Sequence, residues 1–142
     1  MKIYADSSFL VSLYSRDANH GFATRTMQAS RGRCLVNAFG ELEVRNAFEL
    51  RVFRKEISVP QARAALIDFE NDLQQGILQL QGLSDSLFAR ARRLSQKTTA
   101  KLGTRAADLL HVAAALEFGA DYLYSFDEQQ RKLARSLHLK LN

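Results

Sequence analysis

The chain has 142 residues, of which 46% are hydrophobic and 25% charged, so it can bury one packed core. One proline, seven glycines and the lack of low-complexity sequence exclude collagen-like, linker-like and disordered classes. The 20 Lys and Arg against 15 Asp and Glu give a net charge of +5, which favours polyanionic partners such as nucleic acid.

The predicted elements alternate between short strands and helices. The strands are short apolar runs followed by polar residues, at 3–5, 34–36, 77–80, 122–125 and 139–141. The helices begin at capping residues and most end at glycine or a polar residue: one from residue 9, then 17–30, 37–54, 58–76, 84–103, 105–118 and 128–137. This alternation predicts an α/β fold of three layers, with a mainly parallel twisted sheet and helices on both faces.

The single cysteine excludes an internal disulfide and a cysteine-based zinc site. Asp6 interrupts any signal-peptide hydrophobic region, and no run of about 18 apolar residues occurs. We therefore expect a cytoplasmic protein with one domain over residues 1–142 and no membrane segment.

Four carboxylates are predicted to lie at one edge of the sheet. Asp6 and Asp127 follow the first and fourth strands, and Glu43 and Asp108 lie in the early turns of helices. Strand carboxyl ends and helix amino ends share an edge in such folds, so all four can converge. Oxygen-only ligands favour Mg²⁺ or Mn²⁺, and such a site beside a basic rim can orient water for attack at phosphorus.

Each of these acids also has a structural interpretation. Asp6 and Asp127 could cap helices, Asp108 could interact with a helix dipole, and Glu43 could pair with a buried basic residue. His111 lies one turn beyond Asp108 on an apolar helix and is expected to be a core residue.

The helical wheel of residues 37–54 selects Glu43 over Glu41. At about 100° per residue, one apolar arc is predicted to face the core; it contains Phe39, Leu42, Glu43, Asn46, Ala47, Leu50 and Phe53. An unpaired carboxylate there would cost several kcal/mol, so Glu43 must be protonated, paired or bound to a cation. Glu41 points to a second, mixed face and is the alternative candidate.

The chain resembles the PIN-domain ribonucleases, and among them the VapC-type toxins of bacterial toxin–antitoxin pairs. The resemblance spans essentially the whole chain and rests on residues 3–8, 43–48, 102–115 and 119–127. The sequence departs from the family pattern at 97–99, where a histidine-containing stretch is common, and at 136–139, where a glycine is often found. Neither departure touches the four acids.

This resemblance implies a metal-dependent endoribonuclease that hydrolyses RNA phosphodiester bonds. Asp6, Glu43, Asp108 and Asp127 would hold one or two Mg²⁺ or Mn²⁺ ions. The supporting residues around them would be Ser7, Asn46, Thr104, Arg105 and Ser125. The implied partners are RNA, a second copy of the chain, and an antitoxin that we expect to insert an Arg or Lys among the acids while an amphipathic segment covers the early helices.

Two other functions remain to be tested. A non-catalytic PIN-like module for RNA binding or assembly would not require carboxylates beside a phosphodiester backbone. A receiver or phosphatase domain of similar topology would need a second aspartate after Asp6, where this chain has Ser7 and Ser8.

Overall fold

The computed structural model of the protein describes residues 1–142, in which five strands alternate with helices. The strands are β1 (Lys2–Ala5), β2 (Arg33–Asn37), β3 (Leu78–Gln81), β4 (Tyr122–Tyr124) and β5 (Lys140–Leu141). The helices are α1 (Ser7–Tyr14), α2 (His20–Ala29), α3 (Ala38–Phe53), α4 (Val59–Gln74), α5 (Asp85–Leu94), α6 (Ala100–Leu102), α7 (Ala106–Glu117) and α8 (Glu128–Ser136). A π-helical segment, Ser95–Thr99, joins α5 to α6.

All five strands are parallel and lie in the order β3-β2-β1-β4-β5. The central strand β1 pairs with β2 on one side and β4 on the other, so Ala5 lies opposite Tyr124. The predicted α/β class, parallel sheet and strand positions are confirmed. None of the helices is both long and apolar enough to cross a lipid bilayer.

The two faces of the sheet carry separate hydrophobic cores, which makes the fold three-layered. Side chains alternate along a strand, so Ile3 and Ala5 belong to one core and Tyr4 to the other. The first core packs α1, α3 and α4 through buried side chains that include Phe9, Phe48 and Phe69. The second packs α5, α7 and α8 through residues that include Leu87, Val112 and Leu133.

The predicted helix boundaries differ from the structure mainly at four places. Helix α1 begins at Ser7 and not at residue 9, because Asp6, and neither serine, caps it. Helix α2 begins at His20, because Asp17 accepts hydrogen bonds from the Asn19 N–H and the Ser12 hydroxyl in the turn that precedes it. Helix α7 begins at Ala106 without the predicted cap, since the Thr104 hydroxyl is buried and makes no hydrogen bond. The predicted helix at 84–103 is three segments, because the π-helical turn interrupts it.

Candidate active site

The register of β1 and β4 brings two of the predicted site residues together. Asp6 follows β1 and Ser125 follows β4, and the Asp6 N–H donates to the Tyr124 carbonyl at 3.0 Å. The Ser125 hydroxyl donates to Asp6 Oδ2 at 2.6 Å and accepts from the Asp127 N–H at 3.0 Å. Ser125 therefore links two of the four acids.

Asp6 is a fully buried carboxylate that also caps α1. Its Oδ1 accepts from the Phe9 N–H at 2.9 Å and from the Ser8 hydroxyl at 2.7 Å. Burial raises the pKa of Asp6 above its ordinary value, and the hydrogen bonds from Ser125, Phe9 and Ser8 oppose that rise. The fold thus holds this oxygen pair in place although its charge is poorly solvated.

Ser8, and not the predicted Ser7, supports Asp6. The Ser8 hydroxyl contacts Asp6 and also accepts from the Phe126 N–H at 2.9 Å, which ties α1 to the loop after β4. Ser7 makes no hydrogen bond to Asp6. Asp6 is the cap of α1, and Ser8, two residues later, folds its side chain back to the Asp6 carboxylate. Ser7, the first residue of the helix, does not make this contact.

Asp108 and Asp127 form the second part of the site. Both line a cleft of about 480 Å³, whose other lining residues are Gly103, Arg105, Ala107 and Gln129. Asp127 caps α8 with Oδ1, which accepts from the backbone of residues 129 and 130 at 2.8 and 3.0 Å. Asp127 Oδ2 makes no hydrogen bond within the protein, whereas the Asp108 carboxyl interacts with both the Gln130 amide and the Arg105 backbone. Burial, and then the charge of Asp127, raises the pKa of Asp108.

Gln130 is a site residue that the sequence reasoning missed. Its buried side-chain amide donates to Asp108 Oδ1 at 3.1 Å, and its N–H donates to Asp127, so it connects α7 to α8. Its Oε1 is buried and has no hydrogen-bond partner. The available signal was its position three residues after the capping Asp127, where Gln side chains often contact the cap region.

Glu43 reaches the site through a buried histidine. The Glu43 carboxylate is hydrogen-bonded to His111 Nε2, and His111 Nδ1 is bonded to the Tyr4 hydroxyl at 2.7 Å. Burial raises the pKa of Tyr4, and the charges of Asp6 and Glu43 raise it further. His111 is buried and satisfied, as predicted, but it also lies within electrostatic range of Asp6 and Asp108.

Gly40 lies on the buried face of α3, close to His111. A Cβ at this position would lie 3.2 Å from Asn37 Oδ1 and 3.3 Å from His111 Cε1, so the helix approaches α7 closely here. Glu43 lies three residues further on and faces the same side. Glu41 instead forms a salt bridge with Arg45 at 2.9 Å, on another side of the helix.

The predicted core-facing arc of α3 is wrong. The fully buried positions are Gly40, Val44 and Phe48, whereas Leu42 is 61% and Phe53 82% exposed. Asn46 is also exposed and contacts none of the acids, so the structure does not support its predicted place in the site. A wheel identifies an apolar face but does not say whether that face packs on the core or stays on the surface.

Thr104 and Arg105, the remaining predicted supporting residues, lie at the start of α7. Thr104 is buried with an unpartnered hydroxyl, and Arg105 is exposed at the wall of the cleft. Neither makes a side-chain hydrogen bond to an acid.

The donor set fits a hard divalent cation in its chemistry. The four acids lie around one edge of the sheet and offer only oxygen atoms, the ligand type that Mg²⁺ and Mn²⁺ prefer. No three side chains of His, Cys, Asp or Glu lie close enough together to hold a metal ion, so the predicted convergence is incomplete. Carboxylates repel one another, and a cation offsets that repulsion.

Comparisons with known proteins were made for the whole chain. The family model described as the PIN domain matches residues 3–136. No curated protein sequence matches the chain.

Three solved structures share the fold. VapC20 of Mycobacterium tuberculosis, described as a toxin that cleaves the sarcin–ricin loop, is 19% identical over 92% of this chain and 93% of that chain, with a TM-score of 0.69. VapBC2 of Rickettsia felis, bound to DNA from its promoter, is 15% identical over 100% and 98%, with a TM-score of 0.69. FitAcB of Neisseria gonorrhoeae is 12% identical over 98% and 95%, with a TM-score of 0.67.

The raised pKa of Asp6 predicts how its replacement changes stability with pH. The fold favours the protonated carboxyl, so metal-free protein loses stability as pH rises from the ordinary pKa of aspartate through the raised one. Asp6→Asn removes this loss while its amide oxygen can still accept from Ser8 and Phe9. At neutral pH we expect the free energy of unfolding of this variant to exceed that of the wild type.

Urea unfolding in EDTA at several pH values measures this difference. The control is Asp68→Asn, since Asp68 is exposed and makes no hydrogen bond. If the free energies of unfolding of Asp6→Asn and wild type change in parallel from acid to neutral pH, the fold does not raise the pKa of Asp6.

Proposed function

The chain belongs to the PIN-domain family, and we propose that it is a Mg²⁺- or Mn²⁺-dependent endoribonuclease that hydrolyses RNA phosphodiester bonds. The observation that carries the proposal is the cleft that the carboxylates of Asp108 and Asp127 both line, in which Asp127 Oδ2 has no protein partner. This cleft lies at the same sheet edge as the buried Asp6. Such an arrangement suits a cation-dependent attack of water on phosphorus better than it suits binding alone.

Each acid would be held by its neighbours in a defined orientation. Asp6, Glu43, Asp108 and Asp127 are the residues that would bind one or two ions. A bound divalent ion supplies charge neutralisation at the phosphate and lowers the pKa of water. Ser8 and Ser125 fix Asp6, Gln130 fixes Asp108, and His111 fixes Glu43. Preorganised ligands of this kind reduce the rearrangement that the reaction would otherwise require.

We also propose that the protein is the toxin of a toxin–antitoxin pair and acts on RNA in the cytoplasm. The structural neighbours include complexes described as VapBC and FitAcB. A cleft of about 770 Å³ between α1, α2 and α4 could receive a segment of an antitoxin. The hydroxyls of Ser15 and Thr24 on its wall are buried without a partner, and Asp68 and Asp72 give it negative charge. A basic amphipathic segment fits this surface.

A homodimer is proposed from the exposed face of α3. Leu42, Leu50 and Phe53 are 61%, 39% and 82% exposed and follow the helical spacing of one stripe. Apolar side chains repeated on one helix face are typical of a surface that another helix covers. These residues belong to the arc that the sequence analysis assigned to the core. Self-association would bury them, which explains why they are apolar.

The catalytic proposal predicts different outcomes for two neighbouring glutamates. Purified protein should cleave total RNA with Mn²⁺ and not in EDTA. Glu43→Gln should reduce the rate by about two orders of magnitude or more, although its amide oxygen can still contact His111. Glu41→Gln should keep most of the activity, because Glu41 is bonded to Arg45 outside the site.

Cleavage rates measured on one RNA with Mn²⁺ compare the two variants. The reverse order of activities would show that Glu41 is the ligand. RNA binding by wild-type protein without any cleavage in Mn²⁺ would favour the non-catalytic module instead.

The dimer proposal predicts the oligomeric state of a double variant on α3 and of a control variant on α4. Wild-type protein should sediment as a dimer, and Leu42→Glu with Phe53→Glu should sediment as a monomer, because two charges would be buried in the interface. The control is Ile67→Glu on α4, where the native side chain is 59% exposed. A wild-type monomer, or a double variant that remains dimeric, would contradict the proposal.

A further inference from the structure

One segment of the chain holds its entire positive excess. Residues 86–107 contain six basic residues and no Asp or Glu; the six are Arg90, Arg92, Arg93, Lys97, Lys101 and Arg105. The rest of the chain has fourteen Lys and Arg against fifteen Asp and Glu. The field that attracts a polyanion therefore comes from α5, the π-helical segment, α6 and the start of α7.

Most of these cations have no partner within the protein. Only Arg90 forms an ion pair, with Glu117 at 2.8 Å. The other five are exposed and make no salt bridge. Arg92 lies beside Phe88 and Phe39 at the wall of an apolar pocket. It is therefore set apart from the other four unpaired cations.

The π-helical segment aligns three of them. In a continuous α-helix, positions spaced by four residues drift by about 40° at each step, so Arg93, Lys97 and Lys101 would spread by about 80°. A π-helix turns less per residue than an α-helix. The π-helical residues Ser95–Thr99 lie between Arg93 and Lys101, so their smaller turn per residue offsets this drift and places Arg93, Lys97 and Lys101 along one face of the segment.

The row leads to the acidic cleft. Helix α6 ends one residue after Lys101 at Leu102, and Gly103 turns the chain with a left-handed conformation of φ 65°. Gly103 and Arg105 then form part of the cleft wall beside Asp108 and Asp127. A backbone that follows the row therefore arrives at the carboxylates.

We propose that Arg93, Lys97 and Lys101 are the track that binds the phosphates of single-stranded RNA and leads the strand past Arg105 into the cleft. This inference rests on the proposed function and names how its substrate is held. The acids repel a phosphodiester, so attraction must come from cations outside the cleft. A row along one face suits one extended backbone, and a basic groove of this kind is typical of sequence-tolerant single-strand binding.

The test compares two variants with equal loss of charge. The track variant combines Arg93→Gln, Lys97→Gln and Lys101→Gln. The control combines Arg31→Gln, Arg33→Gln and Arg54→Gln, which are exposed, make no salt bridge, and lie near the start of β2 and the end of α3, away from the cleft. Thermal melting establishes that both variants fold.

Binding is measured in EDTA with a fluorescent single-stranded RNA of about 16 nucleotides, between about 50 and 200 mM salt. The track variant should bind at least about tenfold more weakly, and the slope of log K against log salt should fall by about 2. The control should stay within about threefold of the wild type. In cleavage assays the track variant should show a raised KM with kcat nearly unchanged.

The outcomes separate this inference from the proposed function. Loss of RNA affinity in the track variant alone supports the track even if the wild type cleaves nothing in Mn²⁺. Equal affinity, salt slope and KM in wild type and track variant would overturn the track while ribonuclease activity stands. A track variant that loses binding to polyglutamate but not to RNA would also overturn it, because the row would then be a docking surface for an acidic protein.

Discussion

Ala5 lies opposite Tyr124 in the parallel sheet, and the rest of the site depends on this register. It places Asp6 beside Ser125 and lets one hydroxyl connect Asp6 to the N–H of Asp127. A shift by one residue would turn Asp6 away from Ser125, because side chains alternate between the faces of a strand. The carboxyl ends of the two central strands therefore act as one rigid support.

Around this support, hydrogen-bonding groups offset the repulsion among the acids. Hydroxyls and backbone N–H groups hold Asp6, an amide holds Asp108, and a histidine holds Glu43. Burial still raises the pKa of Asp6 and of Asp108, so the metal-free site is held under electrostatic strain. A site of this kind gains stability from a cation and from positive charge nearby, which the segment 86–107 supplies.

The sequence was sufficient for the features that depend on local chemistry. Apolar runs and caps located the strands, and strand ends located Asp6 and Asp127. It failed where tertiary contacts decide. The rotation of α3 depends on its tertiary contacts, which bury Val44 and Phe48 in the core and bring Gly40 close to His111, and a helical wheel does not contain these contacts. The choice of Ser8 over Ser7 depends on how a side chain folds back on its own cap. The position of Gln130, three residues after the capping Asp127, is a local signal, but its contact with Asp108 depends on the packing of α8 against α7.

The proposed divalent cation would be held jointly by the acids at this edge, and calorimetric titration of metal-free protein with Mn²⁺ measures its binding. The wild type should bind one or two ions. Asp108→Asn should bind them at least about tenfold more weakly, since a ligand charge is lost, while the exposed Asp85→Asn should bind as the wild type does. Equal Mn²⁺ affinity in all three proteins would show that Asp108 is not a ligand of the ion.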